Sequence, residues 1–293
     1  MATISVDAVC APDNLGMAYA RFARVRGRWS DFVSMAAVRS NPVAPMLQLA
    51  EQLKSMTYSS GRTINVPIQK ADGTSRLIRV FPVRDRVTQR ALLQVVQPAT
   101  EANFLPSSFG FRPGRGVAGA INACQRWVRL GYGFAVDADV KQCFQSISVD
   151  SALSSAAPFV DDGQVLRLIQ RCVQPHPDDT DANHGLSQGS ALSPWLCNVF
   201  LHEFDCAMHA AAIPLVRYAD DFVLFARSYG EARKALFCAA RWLAARGLEL
   251  NSSKTRIHRP EEVIPFLGVE LPRPLPRLEQ SLDATRQQYA TTV

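Results

Sequence analysis

Lysine is scarce in this chain, supplying 5 of the 32 basic side chains, and the basic character therefore comes from arginine. A transmembrane helix needs about 18 or more consecutive apolar residues, and no such run occurs. The opening Met-Ala-Thr-Ile-Ser-Val-Asp7 has an early acid and no basic stretch, unlike a secretory leader. The seven cysteines, at 10, 124, 143, 172, 197, 206 and 238, never form Cys-x-x-Cys and are odd in number. That spacing argues against a zinc site or a disulfide framework and fits a reducing compartment. Internal repeats, low-complexity tracts and long Gly/Ser linkers are also missing. A cytoplasmic protein without a membrane partner is the expectation.

What is present is a sizeable core and an uneven charge. The 293 residues are 47% hydrophobic and 20% charged, with a formal net charge of +6. Residues 1–130 hold 17 basic and 7 acidic side chains, whereas residues 131–293 hold 15 and 19. A strongly basic half suggests a polyanionic partner, nucleic acid or nucleotide phosphate; the alternative is a solvated surface with a general arginine bias. The length fits one large or two modest domains.

Periodicity predicts a helical first 60 residues, with Arg21, Arg24, Arg26 and Arg28 interleaved with Phe22 and Trp29 and a second helical stretch over 45–56. Two β-like runs, 63–69 and 75–81, flank Ala71-Asp72-Gly73, a hairpin signal. Helices are predicted over 85–99, 117–130, 151–156, 163–173, 191–212 and 231–246, and strands over 133–140, 255–258 and 263–271. The run 214–226 is apolar on both sides of Tyr218-Ala-Asp-Asp221, a hairpin with acids at its tip. Mixed strands and unequal helices indicate an α+β fold.

Two acidic clusters stand out. Asp137-Ala-Asp139 ends an apolar strand, and Asp220-Asp221 lies between strands. Neighbouring carboxylates are costly unless cations neutralise them, and Mg²⁺ takes oxygen ligands together with substrate phosphates. Paired ions about 3.5–4 Å apart activate an attacking oxygen and stabilise a leaving one. Phe159-Val-Asp161-Asp162 provides a contrast, because a helical pattern follows it and its acids suit a helix cap. Asp178, Asp179 and Asp181 lie in a polar loop and read as solvated.

The ordered set of motifs resembles bacterial reverse transcriptases of the group II intron-like lineage. Ser75-Arg-Leu-Ile-Arg-Val-Phe-Pro-Val-Arg-Asp-Arg-Val-Thr-Gln89 is similar to their fingers motif, and Ser108-Phe-Gly-Phe-Arg-Pro-Gly-Arg115 to the segment that follows it. Asp139-Val-Lys-Gln-Cys-Phe144, Gln188-Gly-Ser-Ala-Leu-Ser-Pro194 and Tyr218-Ala-Asp-Asp221 resemble the three palm motifs. Gly247-Leu-Glu-Leu-Asn-Ser-Ser-Lys-Thr255 and Phe266-Leu-Gly-Val269 resemble the last two. The resemblance implies a right-hand polymerase fold with fingers and palm and an absent or vestigial thumb. It divides the chain into an N-terminal helical extension (1–62), fingers with part of the palm (63–132), palm (133–271) and a short tail (272–293).

The resemblance also implies roles. Asp139, Asp220 and Asp221, with the Val140 carbonyl, would bind two Mg²⁺, for which Mn²⁺ could substitute. Phe144 falls at the steric-gate position that disfavours a ribose 2′-hydroxyl, the alternative being a core phenylalanine. Lys70 and Arg76, with Arg79 as a weaker candidate, would hold the triphosphate; a surface lysine is the alternative for Lys70. Gln188 and Gly189 would contact template and incoming dNTP, and Lys254 would assist pyrophosphate departure. Arg112 and Arg115 would contact template phosphates or else brace their loop. Gln145 departs from the acid usual in the first palm motif. Pro82 sits one position late, and Ser193-Pro194 differs from the Ser-Gln of diversity-generating retroelement enzymes. Only 24 residues follow Val269, so a protein partner supplying thumb or integrase function is expected, or a truncated or domesticated form.

The activity implied is RNA-directed DNA synthesis from an RNA template and a DNA or RNA primer. CRISPR spacer acquisition or another antiviral defence is the setting expected. The alternatives are a group II intron enzyme fragment and a noncatalytic RNA-binding maturase-like module.

Overall fold

A computed structural model describes residues 3–69, 73, 75–174 and 185–271. The N-terminal part holds α1 (Val6–Cys10), α2 (Pro12–Ala20), β1 (Arg28–Ser30), β2 (Val33–Ser34), α3 (Met35–Ser40) and α4 (Val43–Lys54). Ser5 starts α1 by accepting the Ala8 N–H through its hydroxyl at 3.1 Å, satisfying a donor the helix leaves free. The expected helical character of the first 60 residues is corrected here: β1 and β2 pair as a small antiparallel hairpin. The arginines of 21–28 therefore do not share one helix. Arg21 terminates α2 and Arg28 begins β1, while Phe22 carries the Arg86 guanidinium on its ring at 4.5 Å.

β3 (Ile64–Gln69) and β4 (Ser75–Val80) pair antiparallel from Ile64↔Val80 to Gln69↔Ser75. They form the hairpin expected around Asp72-Gly73; Lys70 lies outside the described residues. α5 (Val83–Glu101) buries Val87, Ala91, Leu92 and Val96. Its first turn is anchored by Asp85, fully buried, whose carboxylate accepts from Tyr58 Oη at 3.0 Å, the Gly61 N–H at 2.7 Å and Arg84 Nε at 3.2 Å.

α6 (Val117–Arg129) leads into β5 (Phe134–Asp139), followed by α7 (Cys143–Ser146), α8 (Val149–Ala156) and α9 (Gly163–Val173). Asp162 caps α9 by accepting the Gln164 and Val165 N–H groups at 2.7 and 3.2 Å, the helix-cap use expected of that acidic pair. The loop acids Asp178, Asp179 and Asp181 lie outside the described residues. α10 (Ser193–Ala210) precedes the hairpin β6 (Leu215–Tyr218) and β7 (Asp221–Ala226), then come α11 (Tyr229–Ala244), β8 (Arg256–His258), β9 (Ile264–Phe266) and β10 (Val269–Leu271). The single strand expected over 263–271 is instead the β9–β10 hairpin. Leu267 and Gly268 both have positive φ, 52° and 75°, as a tight two-residue hairpin turn requires.

The central sheet has the order β6-β7-β5-β8, with all neighbours antiparallel. Strand side chains alternate between faces, and both faces are covered. Val136, Ala138, Phe222 and Leu224 join the larger core with α10 and α11 residues such as Leu196, Phe200 and Ala239. Ala135, Val223 and Phe225 join Ala120, Cys124 and Val128 of α6 and Ile264, Phe266 and Leu271 of the β9–β10 hairpin. No helix among the described residues is long and apolar enough to cross a membrane.

Asp85→Ala strips the buried Tyr58 hydroxyl and the Gly61 N–H of their acceptor. Its expected cost is about 3 kcal/mol of unfolding free energy, read from the urea midpoint; a loss below about 0.5 kcal/mol would contradict this anchoring role.

Candidate active site

β6 and β7 are joined by a turn of Ala219 and Asp220, with Tyr218 paired to Asp221 across it. Ala219 has φ 59°, a left-handed conformation that costs a residue with a Cβ roughly 1–2 kcal/mol. Arg217, fully buried, holds the turn there. Its Nε and Nη2 donate to the two Asp205 carboxylate oxygens at 2.7 and 2.6 Å, and Nη1 donates to the Ala219 carbonyl at 2.9 Å. Its remaining donors reach Asn198 Oδ1 at 3.0 Å and Ser108 Oγ at 2.9 Å. The 107–110 segment is zipped to β6 by Arg217 N–H to the Ser107 carbonyl at 2.8 Å and Phe109 N–H to the Arg217 carbonyl at 2.9 Å. A Cβ on Gly110 would stand 2.4 Å from the Ala219 nitrogen, so only glycine lets this loop lie against the turn. Asn198 Nδ2 donates to the Gly110 carbonyl at 2.7 Å and closes the ring of contacts.

This frame brings the sequence-predicted acids together. Asp139, the last residue of β5, is the register partner of Asp221, the first of β7, and Asp220 occupies the adjoining turn. Asp137 shares the Asp139 face of β5 two residues earlier. Asp139 Oδ2 accepts from Asn251 Nδ2 and from Lys254 Nζ, both at 3.1 Å. The Asn251 N–H also donates to the Asp139 carbonyl at 2.8 Å. Val140 is buried and bridges to Leu250.

The acids hold their protons unusually well. Burial, with Asp220 and Asp139 beside it, pushes the Asp221 carboxyl up to about 7. Burial and Asp139 raise Asp137 to about 6. Asp220 is raised as well, chiefly by burial and further by Asp139. Lys254 is raised by its hydrogen bond to Asp139 and by the surrounding acids. Among the described residues no three His, Cys, Asp or Glu side chains are already arranged to hold a metal ion. The donor chemistry nonetheless fits a hard divalent cation: the donors are all oxygen and their mutual repulsion is what such a cation relieves.

The other sequence-predicted residues divide. Phe144 packs partly buried against the core, edge-to-face with Phe111 at 6.3 Å between ring centroids. Gln188 accepts the Arg79 N–H through its backbone carbonyl at 2.7 Å, and its side-chain Oε1 is buried without a hydrogen-bond partner. Gly189, φ 118°, makes its close approach to β4, where a Cβ would stand 2.1 Å from the Arg79 carbonyl oxygen. Arg79 is correspondingly buried, while Arg76 is exposed. The phosphate-contact expectation for Arg112 is corrected in favour of its bracing alternative. Its Nε and Nη2 grip the Glu101 carboxylate, Nη1 donates to the Leu105 and Ser108 carbonyls, and Nη2 also reaches the Glu101 carbonyl. No donor is left for a phosphate. Arg115 donates from Nη1 to the Pro106 and Ser108 carbonyls and is half-buried over the Phe109 ring.

Sequence reasoning missed Arg217, Asp205, Asn198 and Asn251. The available signals were an arginine inside an apolar strand next to the paired acids, and Asn251 three residues before Lys254.

The family model for reverse transcriptase (RNA-dependent DNA polymerase) matches residues 68–271, more than half of the chain. The chain belongs to the reverse transcriptase family. It is 25% identical to Protein YkfC of Escherichia coli K12, over 83% of this chain and 75% of that protein. It is 26% identical to the group II intron-encoded protein LtrA of Lactococcus lactis, over 54% of this chain but 27% of LtrA. In fold it is similar to telomerase from Candida albicans, with TM-score 0.56 and 14% identity, covering 74% of this reverse transcriptase and 46% of that chain. Its curated relatives thus include a bacterial group II intron-encoded protein, and the chain resembles bacterial reverse transcriptases of that lineage.

Arg217→Ala leaves Asp205 charged and unpaired in the core, and a loss of about 3–5 kcal/mol is expected in chemical denaturation. The carboxyl shifts make a second prediction. Between the ordinary value of 3.8 and about 7 the folded chain binds the Asp221 proton that the unfolded chain has released. Stability contributed by that proton is therefore lost as pH rises through this window. In metal-free buffer the thermal midpoint of Asp221→Asn should fall less from pH 4 to pH 7.5 than that of the natural chain; parallel profiles would contradict the shift.

Proposed function

We propose that the chain is an RNA-directed DNA polymerase that adds dNTPs to a primer 3′-hydroxyl on an RNA template. One observation carries this reading: Asp139 and Asp221 are register partners beside Asp220, and burial together with the neighbouring acids raises the proton affinity of Asp220 and Asp221. Such an arrangement is unfavourable for an apo fold and useful for holding divalent cations. The four-stranded sheet is the palm within 133–271, β3 and β4 belong to the fingers within 63–132, and residues 1–62 form the extension.

Two Mg²⁺, or Mn²⁺ in their place, held by Asp139, Asp220, Asp221 and the Val140 carbonyl, would activate the 3′-hydroxyl and stabilise the leaving pyrophosphate. Asn251 orients the Asp139 carboxylate and, through its own backbone, the end of β5. Lys254, held protonated by Asp139, is positioned as a cation and proton donor beside the acids. Phe144 presents an aromatic edge that excludes a ribose 2′-hydroxyl, the group distinguishing RNA from DNA precursors. Exposed Arg76, with Lys70, supplies charge for the triphosphate. Gln188 and Gly189 fix the 188–189 backbone against β4 and would contact template and incoming dNTP there. Arg115 is the remaining template contact on its loop. RNA template, DNA or RNA primer and a protein partner for thumb or integrase function are the partners proposed. CRISPR spacer acquisition or antiviral defence is the proposed setting.

The test is extension of a primed RNA template with dNTPs and Mg²⁺. Extension by the natural chain is expected, with Asp220→Ala/Asp221→Ala reduced to background. RNA binding without extension, even with candidate partner proteins present, would instead identify a noncatalytic maturase-like module. Phe144→Ala should admit ribonucleotides; unchanged sugar selectivity would remove the gate role.

A further inference from the structure

One aromatic side chain on the loop that lies against the Ala219 turn has no part in the roles above. Phe111 is 50% exposed although it is large and apolar, and its φ is 58°, a left-handed backbone that bulky residues rarely adopt. The loop is fixed on both sides of it. Gly110 is pressed against the Ala219 backbone and accepts from Asn198, while Arg112 has its donors spent on Glu101, Leu105 and Ser108. Between these anchors the left-handed residue carries its ring to Phe144, with centroids 6.3 Å apart and planes at 89°. That is the edge-to-face arrangement aromatic pairs favour. Phe144 is held from its other side as well: its carbonyl accepts the Leu186 N–H at 2.7 Å, and its ring packs on the core.

We infer that Phe111 is a positioning residue for sugar selection, its ring holding the Phe144 ring in the attitude that excludes a 2′-hydroxyl. The inference rests on the polymerase reading and on the gate role of Phe144. A strained backbone that carries a half-exposed ring is retained where position matters more than burial. Without Phe111, the Phe144 ring loses this edge-to-face partner and can turn away from the sugar.

Single-nucleotide insertion on a primed RNA template, comparing dNTP with rNTP, tests this in the natural chain, Phe111→Gly, Phe111→Tyr, Phe144→Ala and the Phe111→Gly/Phe144→Ala double variant. Glycine accepts the left-handed backbone without strain, so Phe111→Gly should melt near the natural temperature, which separates selectivity from folding. The expected result is a roughly five- to tenfold loss of dNTP preference in Phe111→Gly, carried by a higher rNTP kcat/KM. Phe111→Tyr should retain the preference, and the double variant should be no less selective than Phe144→Ala alone. Unchanged preference in Phe111→Gly, or additive losses in the double variant, would overturn the inference and leave the polymerase reading standing. A natural chain that inserts no dNTP would overturn both.

Discussion

The arrangement of the acids depends on one buried guanidinium. Arg217 sits at the junction of β6, α10, the 107–110 segment and the Ala219-Asp220 turn, and its five N–H donors all find acceptors there. A buried ion pair seldom adds stability over a well-packed apolar substitute, because desolvation offsets the Coulombic gain. What a planar fork of donors supplies is direction. Leucine at this position could fill the volume, but it could not hold the Ala219 carbonyl while gripping Asp205 and Ser108. The Arg217–Asp205 pair thus converts α10, a long helix with a mostly buried surface, into a rigid reference for the turn that carries Asp220.

Charge is distributed in a way that net composition hides. The basic half of the sequence invites the view that its arginines face a polyanion. The structure divides them. Arg28, Arg84 and Arg112 are committed to Asp31, Asp85 and Glu101 within the chain, whereas Arg76 is exposed on β4. At the opposite pole, Asp137, Asp220 and Asp221 resist ionisation, and Lys254 is the cation that meets Asp139 directly. With Asp221 raised to about 7, part of that carboxyl is protonated at neutral pH, and bringing a cation beside it is coupled to proton release.

Much of this was legible in the sequence, and the exceptions share a cause. Helix and strand periods located α5, α6, α9, α10 and α11, and the apolar flanks of Tyr218-Ala-Asp-Asp221 identified the hairpin, because both signals are local. The Asp161-Asp162 cap was separable from the Asp220-Asp221 pair for the same reason. Arg217 was not, since its partners Asp205, Asn198 and Ser108 lie 12, 19 and 109 positions away. Arg112 suits bracing and binding equally in the sequence, and what decides for bracing is Glu101, 11 positions away. The β9–β10 turn was missed because Leu267 is an improbable residue for positive φ, so its apolar side chain read as strand.

Positive φ in residues other than glycine also says how the site is kept in shape. Among the described residues, Phe111, Gln142 and Ala219 adopt it around the acids: one beside Phe144, one between Asp139 and Phe144, one next to Asp220. Such conformations persist only where the surroundings over-determine them. For Ala219 these surroundings are Arg217 and Gly110; for Phe111 they are Gly110 and Arg112. Gly110 appears in both, which couples the tip of the β6–β7 hairpin to the loop that carries Phe111. The position of the acids and the attitude of the Phe144 ring are then not independent settings. A displacement of the 107–112 segment would move both, so the element that places the carboxylates also governs the aromatic pair expected to judge the sugar.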